Sequence, residues 1–236
     1  MMRRHGEAGT AYDALGLPSH LAWGTSTGFG QSSFDIGGTN GNFLGFLTTN
    51  AAPINTVVIV HDNNAITGDS LTSATLTDNL TLTATSPGGP ALPLGLLFGI
   101  NFAETPNSTP CAAASPGGNP CNDIFSLDAS GNGVSFQNSG GTPFLAQDFM
   151  YEGELYGINL FMNGLSFLPN GVCAAASAAN GCVGFTTIEN QANTFQVSLQ
   201  IVHNPIRELP EPLTMSLFGV GLAGAAIARR RMKKSA

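Results

Sequence analysis

Glu152 and Glu154 lie two residues apart, with Asp148 just before them. On a strand, period two puts such a pair on one face. Two carboxylates there suit glycoside hydrolysis or Ca²⁺ coordination through oxygen ligands. No Asp-x-Asp-x-Asp-Gly loop accompanies them, and a solvated acidic edge is the plainer reading. His61-Asp62 would suit a metal, or a base with its orienting carboxylate. The plainer reading there is a loop after a β-branched run, in which Asp62, Asn63 and Asn64 bond backbone groups. His203 closes a later apolar run in a similar way. Gly24-Thr25-Ser26-Thr27-Gly28 matches the nucleophile string Gly-x-Ser-x-Gly. That string works only at a strand-to-helix turn, and Phe29-Gly30-Gln31-Ser32-Ser33 is no helix. The expectation is a non-enzymatic chain with no catalytic residue, and with Ca²⁺ as the one cofactor to consider.

Four cysteines fall into two local groups, Cys111 with Cys121 and Cys173 with Cys182. Three pairings exist. The local one is expected, because each would close an otherwise loose loop rich in small and turn-forming residues, contributing about 2.5–3 kcal/mol. Zinc is the rival reading, but its cysteines usually stand two to four residues apart. Disulfides imply an oxidising compartment.

The elements that must position these groups read as strands. Residues 70–85 alternate Ala74, Leu76, Leu80, Leu82 and Ala84 with Thr75, Thr77, Thr81, Thr83 and Thr85, the pattern of a half-buried antiparallel strand. Asp78-Asn79 suggests a bulge or turn in the middle. In 194–201, Phe195, Val197, Leu199 and Ile201 alternate with Thr194, Gln196, Ser198 and Gln200. Further strands are expected at 20–24, 31–36, 43–47, 55–60, 92–102, 124–127, 134–136 and 149–160. Trp23 could be a sugar-stacking platform, but a core position is expected. Thirty glycines and 14 prolines mark frequent turns, and no amphipathic helix precedes residue 213. The fold class is therefore all-β: a jelly-roll-like β-sandwich over 20–206.

The eight Lys and Arg residues all lie at the ends: Arg3, Arg4, Arg207, Arg229, Arg230, Arg231, Lys233 and Lys234. Residues 5–206 hold none, yet carry 13 of the 15 acids. Such a body cannot neutralise phosphates, which excludes nucleic acid as a partner. It would accept Ca²⁺ or basic partners.

The chain ends in three parts. Pro210-Glu211-Pro212 is followed by the uncharged residues 213–228 and by the basic residues 229–234. Sixteen helical residues span about 24 Å, short for a bilayer core of about 30 Å. The cations would stay cytoplasmic and place the body on the other side. One C-terminal transmembrane helix is expected at 213–228. At the other end, residues 1–19 contain no apolar run, so a native signal peptide is expected to precede Met1.

The tail resembles the PEP-CTERM sorting signal of Gram-negative bacteria, carried by Pro210, Glu211 and Pro212, the apolar span 213–228 and the Arg-rich end. This resemblance implies an exosortase-like processing enzyme as partner, transient anchoring in the inner membrane, and delivery to the envelope or extracellular matrix. The stretch from Trp23 to Cys121 resembles the THxN family, close to the choice-of-anchor β-domains. The residues concerned are Trp23-Gly24, Gln31-Ser32-Ser33, His61-x-Asn63-Asn64 and Glu104-Thr105-Pro106-Asn107. Val60 and Ala65 depart from its motif, where Thr and Pro are expected. The family implies no activity. Together these features predict an exported structural or adhesive protein, in contact with exopolysaccharide. A secreted carbohydrate-binding module or glycoside hydrolase is the alternative.

Overall fold

The computed structural model describes residues 2–4, 10–12, 18–37, 43–114, 121–129 and 133–204. In chain order the strands are β1 (Met2–Arg4), β2 (Thr10–Tyr12), β3 (Pro18–Trp23), β4 (Thr25–Ser26), β5 (Ser32–Ile36), β6 (Ile54–Asn63), β7 (Ile66–Thr67), β8 (Ser73–Thr83), β9 (Ala91–Ala103), β10 (Asp123–Asp128), β11 (Val134–Ser139), β12 (Thr142–Tyr151), β13 (Glu154–Met162), β14 (Ser166–Phe167), β15 (Val183–Thr187) and β16 (Gln191–His203). One short helix, α1 (Asn170–Ala175), precedes β15. The smaller sheet has the order β1-β8-β9-β10-β15-β14, and the larger β11-β12-β13-β16-β6-β5-β3-β2. Neighbouring strands run antiparallel in both sheets. β4 and β7 form a separate two-stranded ladder.

The alternation in the sequence explains the two layers. Phe195, Val197 and Leu199 of β16 are buried, as their period-two spacing predicts. With Phe34, Ile59 and Ile158 they meet Leu96, Phe98, Phe102, Phe125 and Phe185 of the smaller sheet in one apolar cluster. Each such side chain contributes about 1.5–3 kcal/mol of burial. Two antiparallel sheets closed over a shared core make a β-sandwich.

The strand β10 is buried on both faces. Phe125 points into the core, while Ile124 packs outward against Leu168, Val172, Cys173 and Ala176. The helix α1 thus covers the outer face of the smaller sheet. Both expected disulfides are formed next to it. Cys111–Cys121 closes the loop entering β10, and Cys173–Cys182 ties α1 to the start of β15.

Several expectations need correction. His61, Asp62 and Asn63 are not a loop but the end of β6, because the ladder to β16 continues to Asn63↔Gln191. Asp78-Asn79 makes neither bulge nor turn: β8 pairs with β9 in one unbroken register from Ser73↔Asn101 to Thr83↔Ala91. Burial pushes the Asp78 carboxyl up from its ordinary value. Residues 149–160 are two strands, since the chain reverses at Glu152-Gly153 and Tyr151 pairs with Glu154. Residues 43–48 find no ladder partner and form no strand, leaving Leu44 and Phe46 exposed. The backbone of 2–4 and 10–12 joins the sheets, ahead of the boundary expected at residue 20. Among the described residues no helix is long and apolar enough to cross a membrane. The expected transmembrane segment 213–228, the sorting motif Pro210, Glu211 and Pro212, and the basic end lie outside the described residues.

Candidate functional site

Four inward-facing rows of side chains pass from apolar to polar at one end of the sandwich, beside a fifth that ends on Trp23. On β3 the row is Leu21, Trp23; on β6 it is Ile59, His61, Asn63. On β9 it runs Ile100, Phe102 and reaches Glu104 just past the strand. On β10 it runs Leu127, Phe125, Asp123. On β15 it runs Val183, Phe185, Thr187 and continues to Glu189. The registers align these rows: Phe102 faces Phe125, Phe125 faces Phe185, and Asp123 faces Thr187. Strand pairing therefore builds an aromatic layer and, beyond it, a polar one.

In the aromatic layer the Trp23 indole stacks on the His61 imidazole, with centroids 5.3 Å apart. Phe102 and Phe125 present their edges to His61 at 5.8 and 4.9 Å. His61 is fully buried, and its Nδ1 lies 3.0 Å from Thr187 Oγ1. Burial pushes its pKa down to about 3, so it is neutral at physiological pH. Trp23 is a core residue with no exposed surface, not a sugar platform.

In the polar layer Glu104, Asp123 and Glu189 each place a carboxylate oxygen within 4.8 Å of the other two. Asp123 and Glu189 are buried and Glu104 is half-buried. The Thr105 backbone N–H donates to Asp123 Oδ1 at 2.8 Å, and the Thr105 hydroxyl donates to the same oxygen at 3.3 Å. Asn107 Nδ2 donates to Glu189 Oε1 at 3.3 Å. Glu104 Oε2, Asp123 Oδ2 and Glu189 Oε2 are buried with no hydrogen-bond partner among the described residues, as is Asn63 Oδ1. Desolvation first, then the charge of Glu189, raises Glu104 to about 7; the Trp23 and Ser70 side chains pull weakly the other way. Desolvation and the Glu104 charge raise Asp123 to about 8, against the bonds from Thr105. Burial also raises Glu189, opposed by Asn107 and Asn63. Three carboxylates so placed either retain protons or hold a cation. Oxygens sealed from solvent suit an ion better than a substrate.

The residues that carry the THxN resemblance meet at this end of the sandwich. Trp23 stacks on His61, and Asn63 reaches Glu189. Glu104, Thr105 and Asn107 all belong to the acidic cluster or bond to it. Asn64 Nδ2 donates to the Gln31 carbonyl, the Ser32 hydroxyl donates to the Asn64 carbonyl, and Gln31 Nε2 donates to the Gly24 carbonyl.

The other candidates fall elsewhere. Asp62 is on the opposite face of β6 from His61 and is half-buried. Glu152 sits in the β12–β13 turn with φ of 50°, and Glu154 Oε2 lies 3.2 Å from His203 Nε2. The two line a cleft of about 640 Å³ with Phe46, Phe149, Tyr151 and Tyr156. Ser26 heads a turn, its hydroxyl accepting from the Gly28 and Gly30 backbone N–H groups at 3.1 and 2.9 Å. No family model matches the chain, and no curated protein is similar enough to stand as a relative.

Proposed function

We propose that this chain is an exported, non-enzymatic component of the cell envelope or extracellular matrix, with a structural or adhesive task. Its jelly-roll-like sandwich is carried to its destination by a cleavable C-terminal sorting signal. One observation carries this reading: a sandwich without Lys or Arg from residue 5 to 206, closed by two disulfides, stands directly before the three-part tail. Disulfides belong to an oxidising compartment. In this reading an exosortase-like enzyme recognises Pro210-Glu211-Pro212, residues 213–228 hold the precursor in the inner membrane as a helix, and the basic end stays cytoplasmic. The test is fractionation of the producing cells. The wild-type chain is expected in the envelope or medium, and a chain with Pro210, Glu211 and Pro212 changed to Ala is expected to stay in the inner membrane. Identical distribution of both would refute sorting through this motif.

A second reading, glycan binding, is favoured by the cleft between Phe46, Phe149, Tyr151 and Tyr156, where aromatic faces adjoin Glu152 and Glu154. Tyr156 stacks on Phe149 with centroids 5.6 Å apart and lies 5.0 Å from the His203 ring. Sugar rings pack on such faces, with carboxylates accepting from hydroxyls. Pull-down on exopolysaccharide tests it. Tyr156→Ala is expected to weaken retention about tenfold, and equal retention would remove the cleft from consideration.

A further inference from the structure

We propose that Glu104, Asp123 and Glu189 form a Ca²⁺ site at the polar end of the sandwich core. Acids gathered at a surface are commonplace; this group differs in three ways. First, the oxygens are supported from outside. Thr105 holds one oxygen of Asp123 and Asn107 holds one oxygen of Glu189, leaving a second oxygen on each buried and unpartnered. Donors that fix one oxygen and leave the other free are how outer groups orient metal ligands.

Second, Asp123 is wholly buried and Glu189 nearly so, and the free oxygen of each has no donor among the described residues. A buried carboxylate oxygen without a donor is costly and is a ligand type that Ca²⁺ accepts. Third, residues 5–206 supply no Lys or Arg to neutralise the group, and His61, the neighbouring imidazole, is bonded to Thr187 through Nδ1.

The donor set selects the ion. It is all oxygen, which disfavours zinc and copper. Ca²⁺ takes flexible all-oxygen ligand sets at about 2.3–2.6 Å, whereas Mg²⁺ demands near-ideal octahedral geometry and keeps most of its waters. The three carboxylates lie within 4.8 Å of one another, a spacing Ca²⁺ accommodates. A cation here would cross-link the end of β9, β10 and the segment between β15 and β16.

Trp23, the sole tryptophan, provides the test. Its indole stacks on His61, which bonds Thr187 opposite Asp123, so Tb³⁺ in place of Ca²⁺ would receive energy from it. The full chain, stripped with EDTA, is titrated with TbCl₃ under excitation of the indole, and then with CaCl₂. The expected result is sensitised emission that saturates at one equivalent and is displaced by Ca²⁺. Glu189→Gln should weaken Tb³⁺ at least about tenfold, while Glu152→Gln leaves it unchanged. Should Glu189→Gln fail to fold, calorimetric titration of the wild-type chain with CaCl₂ decides, with one site expected. No sensitised emission with no calorimetric Ca²⁺ binding, or emission unaffected by Glu189→Gln and lost in Glu152→Gln, would overturn the assignment.

Discussion

The Trp23 indole lies on the His61 imidazole at a centroid separation of 5.3 Å and an interplanar angle of 17°. The two rings stand where the apolar rows of the core give way to acids. His61→Ala would remove a fully buried ring stacked on a second one, leaving a cavity and taking from the Thr187 hydroxyl the nearer of its two partners. A loss of about 3 kcal/mol is expected. Urea unfolding followed by Trp23 fluorescence measures it, and a midpoint unchanged from wild type would contradict the packing role.

Stability in EDTA should fall as pH rises from 6.5 to 8. Glu104 and Asp123 have folded values of about 7 and about 8, above ordinary values of 4.5 and 3.8. Groups raised in this way stabilise fully below their unfolded values, and that contribution is lost as pH climbs through the folded ones. His61 acts with the opposite sign. Its folded value of about 3 lies below 6.5, so its contribution is complete above pH 6.5 and is lost only as pH falls towards 3. The window between 6.5 and 8 therefore follows Glu104 and Asp123 and not His61. Melting temperatures across that window check it, and Asp123→Asn should flatten the slope.

Gly184→Ala should destabilise the smaller sheet by about 2–3 kcal/mol. Gly184 pairs with Ser126, and a methyl there would collide with the Phe125 carbonyl and with Leu168, which packs under α1. Denaturant unfolding of the variant checks this; a change under 0.5 kcal/mol, within the range of ordinary surface substitutions, would contradict it.

Replacing Cys173 and Cys182 together by Ser should cost about 2.5–3 kcal/mol. Their separation of 9 residues closes the loop that holds α1 against Ile124. The Cys111/Cys121 pair, with a separation of 10, should cost about as much. The midpoints of oxidised wild type and of each double variant provide the comparison.

Strand β16 and the two cysteine pairs were legible because their signals are local: a strict period of two, and loops too short to leave open. The acidic cluster was not. Glu104, Asp123 and Glu189 are far apart in sequence, and each stands alone at a strand end among residues that read as a turn. Only the registers of β9 with β10 and of β10 with β15 bring them together. A trace of the signal was present in parity: Glu104 follows Phe102, Asp123 precedes Phe125, and Glu189 follows Phe185 and Thr187 at even spacing. The same parity carries Ile59 to His61 and Asn63. Reading polarity as the end of the strand hid it, because a buried polar residue keeps its place in the row only when partners wait across the sandwich. Glu152 and Glu154 were misplaced for the opposite reason: their spacing suggested one face of a strand, but Gly153 turns the chain between them.

Export and processing are tested most directly by the intact mass of the protein recovered from its native envelope or medium. The account predicts a species with both disulfides oxidised and without residues 213–236. A mass that retains those residues, or that shows free thiols at Cys111, Cys121, Cys173 and Cys182, would contradict it.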